Sequence, residues 1–348
     1  MEFHWFLPLS PDVEQIGLWP EEGPEPTLPY LTEIVTEAEA AGCAALLVPA
    51  TFRNHHDALI ATAAVLARTE RAALLVAVRP FQFHPAQFAK MTATLLSWFP
   101  GRIRLNVVGA GGDEPAMLGV GDDREARQRR MAEWMEVFTG VLYGGRTFSY
   151  AGEFYQVTDF LMVESPTERV PIYLSGSSAV ARSLLARYGT HYLMYGVPPD
   201  AAAAEVTGLR VVPDLAAVGI CMRLHLIVRR TSAEAWAAAD HLVSRVDPRV
   251  AAIMSNERHE AESKLNTVHK LATSDDLVVA PNLWAGVGTA RRGAALALVG
   301  APDEVTARLV EYRDLGVDSV IVSGYPKLRE VVRFRELLLP RLREAGLA

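Results

Sequence analysis

"AALLVPATFRNHHDALIATAAVLARTERAALLVAV", residues 44–78, sets two short apolar runs on either side of a polar turn and an apolar helical stretch. AALLVP and ALLVAV are nearly continuous in apolar residues, as strands buried on both faces of a parallel sheet require. ALIATAAVLAR between them reads as the crossover helix that parallel pairing needs. The alternation recurs in both directions. FHWFL (3–7) precedes LPYLTEIVTEAEAAG, ALLVAV precedes PAQFAKMTATLLSWF, and IRLNVVG (103–109) precedes EARQRRMAEWMEVFTGVL. PIYLSG (171–176) leads into SAVARSLLARYG and HYLMYG (191–196) follows; MRLHLIVRR (222–230) leads into SAEAWAAADHLVSRV. The helix PDEVTARLVEYRDLG, the strand SVIVSG (319–324) and a last helix close the chain. Eight strands alternating with helices favour an α/β fold of the (β/α)8 TIM-barrel type over an open doubly wound sheet. In the helix from Pro302, the proline suits a first helical position, Val305 and Leu309 share a face, and Gly316 supplies a stop.

The 348 residues are 50% hydrophobic and 22% charged, which fits one barrel domain over 1–348 with a sizeable core. Residues 141–169 and 247–300 exceed what connectors need and read as insertions over the C-terminal face, candidate covers of an active site. A net charge of −7 without a basic block argues against a nucleic-acid partner. MEFHWFLPLS is too short and aromatic for a signal segment, and no apolar run reaches membrane-spanning length, so the expected location is cytoplasmic, with no membrane partner. Cys43 and Cys221 are read as small buried hydrophobes without metal-ligand spacing.

In such a barrel, chemistry gathers where strands end. TFRNHHD, with His55 and His56, follows the second strand; Arg79 follows the third; Asn106 and the glycines of GAGG follow the fourth. Ser175, Gly176, Ser177 and Ser178 follow the fifth, Tyr195 closes the sixth, and Tyr325 follows the eighth. The Ser-Gly-Ser-Ser run enters a helix directly, so it suits a phosphate, although an ordinary serine cap explains it equally well. His55 and His56 lack a third ligand at suitable spacing, and no metal is expected.

Arg223 and His225 stand two apart in an apolar run, so on one strand both point to the same face. A buried arginine is costly unless paired, and its fork matches an oxyanion; an anion site therefore explains the pair better than a structural ion pair does. PNLWAGVGTARRGAALALVG (281–300) carries Arg291 and Arg292 in glycine-rich sequence, suited to a loop that closes an arginine over a bound anion, the alternative being a solvated surface loop.

PNLWAGVG with the following arginine and ALVG, RLHLIVR, YLSGSS, YGVPPD, VSGYP and FLP together resemble the two-component alkanesulfonate monooxygenases of the bacterial-luciferase-like flavin family. The resemblance implies a barrel that binds FMN as FMNH2, supplied by a separate NAD(P)H-dependent FMN reductase. O2 would then oxygenate the carbon bearing a sulfonate, with loss of an aldehyde and sulfite. By motif, Arg223, His225 and Tyr325 would surround the sulfonate and reactive oxygen, with Arg291 brought by a mobile loop. Tyr195 stands where the family usually has tryptophan, and Glu21 matches an acidic residue near the entrance. Asn106 and Ser175 to Ser178 would hold the flavin ring and phosphate, and the chain would assemble as a homo-oligomer.

The chain also departs from that pattern. His55 stands where the alkanesulfonate enzymes carry cysteine, TLLSWFPGR lacks the usual aspartate, and Gln128 replaces a tyrosine. The length and polarity of the substrate therefore stay open, from an alkanesulfonate to a sulfonated sugar, a sulfone or another anion. A deazaflavin-dependent oxidoreductase and a non-catalytic flavin-binding protein are the readings of other classes.

Overall fold

The computed structural model describes residues 1–109, 114–260 and 277–348. Eight strands form a closed barrel: β1 (Glu2–Phe6), β2 (Ala45–Val48), β3 (Ala73–Val78), β4 (Ile103–Val107), β7 (Ile172–Leu174), β8 (His191–Tyr195), β9 (Gly219–Arg223) and β14 (Ser319–Ile321), in the order β1-β14-β9-β8-β7-β4-β3-β2. Pairing is parallel wherever its register is defined, for example Glu2 with Ser319, Ser319 with Cys221, and Ala77 with Asn106. Every residue of β2 and β3 is buried, as their unbroken apolar runs require.

The chain divides into two compact units, Met1–Leu47 with Leu193–Ala348, and Val48–Tyr192. In the first, Phe334 packs on Phe3 and Trp5 at centroid distances of 5.6 and 5.9 Å. Helix Pro302–Asp314 begins on its proline, buries Val305 and Leu309, and is followed by Gly316 at φ +98°, as its sequence predicts. In the second, helices Pro85–Trp98 and Arg124–Tyr143 bury Phe88, Trp134 and Phe138, with Trp134 and Phe138 stacked at 5.0 Å. Asp57 caps helix Ala58–Leu66 by accepting from Leu59 N and Ile60 N, both at 2.9 Å.

Both long stretches contain regular structure. Residues 141–169 hold an antiparallel hairpin, β5 (Thr147–Ala151) with β6 (Gln156–Leu161). Its tip is held by Glu133, whose carboxylate accepts the backbone N–H groups of Glu153, Phe154 and Tyr155 at 2.7, 2.9 and 3.2 Å. Residues 247–300 include helix Pro248–Glu260, then β11 (Val278–Ala280), β12 (Leu283–Trp284) and β13 (Ala297–Gly300); residues 261–276 lie outside the described residues. With β10 (His225–Val228) these strands make a second sheet, ordered β10-β13-β12-β11.

The strand expected over 222–230 is thus two strands that part at Leu224. Arg223 pairs with Ile321 in the barrel, whereas His225 pairs with Ala297 of β13. Cys43 and Cys221 are both buried, Cys221 inside β9, and burial pushes the Cys43 thiol up to about 12. Among the described residues no helix is long and apolar enough to cross a membrane.

Candidate functional site

Within the first unit, β9, β10 and the chain after β14 bring Arg223, His225 and Tyr325 together. Arg223, 7% exposed, ends β9. Its Nη2 donates to Ser323 Oγ at 2.7 Å, and its Nη1 donates to the carbonyls of Leu224 and, at 3.3 Å, Ile321. Its guanidinium lies 5.2 Å from the centre of the Phe6 ring. Among the described residues it has no carboxylate partner, and burial with the nearby Arg291 charge pulls it down to about 10.

His225, 2% exposed, lies 3.0 Å through Nδ1 from Ser323 Oγ and 3.1 Å through Nε2 from the Ala294 carbonyl. A carbonyl only accepts, so Nε2 carries the proton and Nδ1 accepts from the Ser323 hydroxyl. Burial first, then Arg223, Arg291 and Lys327, hold the imidazole neutral. The result is a fixed relay: Arg223 donates to Ser323, Ser323 to His225, and His225 to Ala294. Both ring nitrogens of His225 are thus occupied within the protein.

Tyr325 sits in the apolar cluster of Ile227, Trp284, Val287 and Val299, its ring 5.4 Å from that of His225. Its hydroxyl accepts from Arg291 Nη1, and Lys327 Nζ stands 3.9 Å from its ring centre. Burial raises the phenol, against the pull of Arg291 and Arg223. Lys327, 3% exposed, lies 3.4 Å from Asp12 Oδ1 and is lowered to about 8 by burial. Asp12, also buried, accepts from Lys327 N (2.8 Å), Leu328 N (3.1 Å) and Tyr30 OH (2.9 Å).

Sequence reasoning missed Ser323, Lys327 and Asp12. SGYPK, with a lysine two residues beyond Tyr325, carried a signal for one of them. Arg291 stands in the irregular chain between a 3-10 helix and β13. PNLWAGVG folds into β12 and a 3-10 helix, Gly286–Thr289, with Trp284 buried. A Cβ on Gly286 would stand 1.9 Å from the Trp284 ring, so glycine is required by close packing there. Tyr195 is the exposed last residue of β8, its charge felt at Arg223 when ionised, and Glu21 is exposed, its charge felt at Lys327.

Within the second unit, His55 and His56 are both exposed and both line a cavity of about 200 Å³ with Thr51, Gln82, Phe83 and Phe88. Arg79 donates to the Ala50 carbonyl (3.0 Å) and pairs with buried Glu114 at 3.2 Å. Among the described residues no three His, Cys, Asp or Glu gather to hold a metal ion. Asn106 is buried in β4, and its carboxamide makes no hydrogen bond among the described residues. Gly176 turns the chain at φ +110°, a conformation side chains resist, and Ser175 and Ser177 beside it are exposed. Ser178 caps helix Ala179–Tyr188, its hydroxyl accepting from Ala181 N at 3.1 Å, a role that uses one lone pair and not its O–H donor. A carboxamide with spare hydrogen-bonding capacity and two hydroxyls at a glycine turn before a helix are a donor set that fits an FMN ring and phosphate.

The fold is similar to that of DmoA from Hyphomicrobium sulfonivorans, at TM-score 0.80 and 19% identity over 100% of this chain and 88% of that one. It is also similar to EDTA monooxygenase (EmoA) from Chelativorans sp. BNC1, at TM-score 0.79 and 16% identity over 100% and 95% of the two chains. A long-chain alkane monooxygenase (LadA) aligns at TM-score 0.73 and 18% identity over 100% and 92%. Identities this low speak for the fold alone. Residues 1–319 match the model of the luciferase-like monooxygenases, and the chain belongs to that family.

Proposed function

We propose that this protein is a reduced-flavin monooxygenase acting on a small organic anion, with an organosulfonate as the substrate class that best suits the site. One observation carries the reading: Arg223, Arg291 and Lys327 surround Tyr325 with Asp12 as the one buried carboxylate among them. Buried cations short of counter-charge, as Arg223 and Lys327 are, are unfavourable in the empty protein and become favourable when an anion arrives.

Asn106, Ser175, Gly176 and Ser177 would hold FMN, delivered as FMNH2 by a separate NAD(P)H-dependent reductase. Bound FMNH2 with O2 supplies the oxygen atom placed on the sulfonate-bearing carbon. Arg223, held in register by Ser323 and His225, would meet two sulfonate oxygens with its fork, and Arg291 would add a second guanidinium beside Tyr325. As sulfite departs its charge grows, and the same cations stabilise it without reorganising. The apolar wall of Trp284, Val287 and Ile227 keeps the surroundings of Tyr325 dry, which strengthens each of these attractions.

Coupled turnover tests the reading, with purified protein, FMN, a generic NAD(P)H:flavin reductase and O2, and sulfite measured across short and long alkanesulfonates and a sulfonated sugar. Sulfite from one or more of them supports desulfonation. Tight FMNH2 binding without sulfite moves the substrate to another anion, and turnover that needs no O2 points to a deazaflavin oxidoreductase.

A further inference from the structure

We propose that the substrate carries two negative groups, a sulfonate for Arg223 and Arg291 and a second oxyanion such as a carboxylate for Lys327. The inference rests on the cluster being the substrate pocket, and it names the substrate class more narrowly. Charge around Tyr325 does not balance. Arg223 and Lys327, both buried, and the half-buried Arg291 bring three positive charges, His225 is neutral, and buried Asp12 brings one negative charge. Glu21 also acts on Lys327, but it is exposed, so solvent screens it. One sulfonate leaves a surplus positive charge; a dianion does not.

Lys327 is the cation left over. Asp12 does not depend on its ammonium, because the N–H groups of Lys327 and Leu328 at the start of a helix and the Tyr30 hydroxyl already give that carboxylate three donors at 2.8–3.1 Å. The ammonium stands farther off, at 3.4 Å, and lies over the Tyr325 ring face. An ammonium has three N–H groups, so the Asp12 carboxylate and the ring face leave one to spare. Arg291 approaches the same ring at its hydroxyl end, and Arg223 is fixed through Ser323 and His225. Positive charge therefore meets Tyr325 both at its hydroxyl and over its face, more spread than a single tetrahedral oxyanion needs.

Calorimetric titration of the intact protein, with and without FMN, would compare propane-1-sulfonate with 3-sulfopropanoate, which has the same carbon count and one more charge. The wild-type protein is expected to bind the dianion about tenfold or more tightly than the monoanion, the worth of one charge-assisted hydrogen bond. In Lys327→Met and Lys327→Gln that preference, read as the ratio of the two affinities within each variant, should vanish. Equal wild-type affinities would overturn the proposal and leave the sulfonate site standing, and this comparison needs no variant to fold. A preference that survives in both variants would overturn it as well. So would a loss of kcat in them with equal wild-type affinities, because Lys327 would then serve only the departing sulfite. Binding of neither probe would remove the pocket itself, and this inference with it.

Discussion

The cationic cluster around Tyr325 and the serine turn at 175–178 are both assigned to anions, yet they carry different weight. Arg223 and Lys327 are almost wholly buried with little counter-charge, an arrangement that is unfavourable unless something compensates it. Ser175 and Ser177 are exposed and stand there at no cost, and Ser178 has an ordinary job as a helix cap. Function is read most firmly where the empty protein is least comfortable.

That contrast can be broken most sharply at Arg223. Arg223→Ala is expected to lower kcat/KM for the anionic substrate on the order of 1000-fold, while FMN binding followed by fluorescence stays unchanged. Arg223→Lys should recover little of it, since an ammonium lacks the fork. Loss of flavin affinity in Arg223→Ala would mean that the two regions are not separable in this way.

Ser323→Ala removes the acceptor of Arg223 and the donor to His225 together, and should raise KM about twentyfold with a smaller change in kcat. Combined with His225→Phe, the two losses should be far from additive in a double-mutant cycle; additive losses would dissolve the relay.

Two pH effects follow from burial. Because the Lys327 ammonium is lowered from 10.5 to about 8, its charge is present below that pH and lost above it. The preference for a dianion should therefore shrink severalfold between pH 7 and 9, and Lys327→Met should show no such change. His225 is held neutral well below 6.5 in the folded chain, so as pH falls through 6.5 the unfolded chain gains the proton first and stability drops. Urea unfolding at pH 5.5 should show about 1 kcal/mol less stability from this residue than at pH 7.5, a difference that His225→Gln abolishes.

The smallest effects belong to the turn. Ser178→Ala should cost about 1 kcal/mol of stability through its lost cap and leave FMN affinity alone. Ser177→Ala should do the reverse, weakening FMN about fivefold with no change in unfolding.

The barrel was legible because its strands are short apolar runs spaced by helices with clear caps, as at Asp57 and Pro302. The break at Leu224 was not, since RLHLIV offers no glycine or proline and the change of partner from β14 to β13 is set by residues some 70 to 100 positions away. PNLWAGVG reads as loop from its glycines, whereas burial of Leu283 and Trp284 against β13 makes it a strand and a short helix. Arg223, His225, Arg291 and Tyr325 stood out by residue type. Ser323, Lys327 and Asp12 did not, because serine, lysine and aspartate are ordinary near strand ends and only burial gives them meaning.

The central claim, that the buried cations are built for an organic anion, is tested most directly by titrating wild-type protein and Arg223→Ala with propane-1-sulfonate at pH 7. Saturable binding in the wild type that weakens about 100-fold or more in the variant is the expected result. Equal affinity in the two proteins would contradict it, leaving Arg223 as a structural residue with its carbonyl and Ser323 partners.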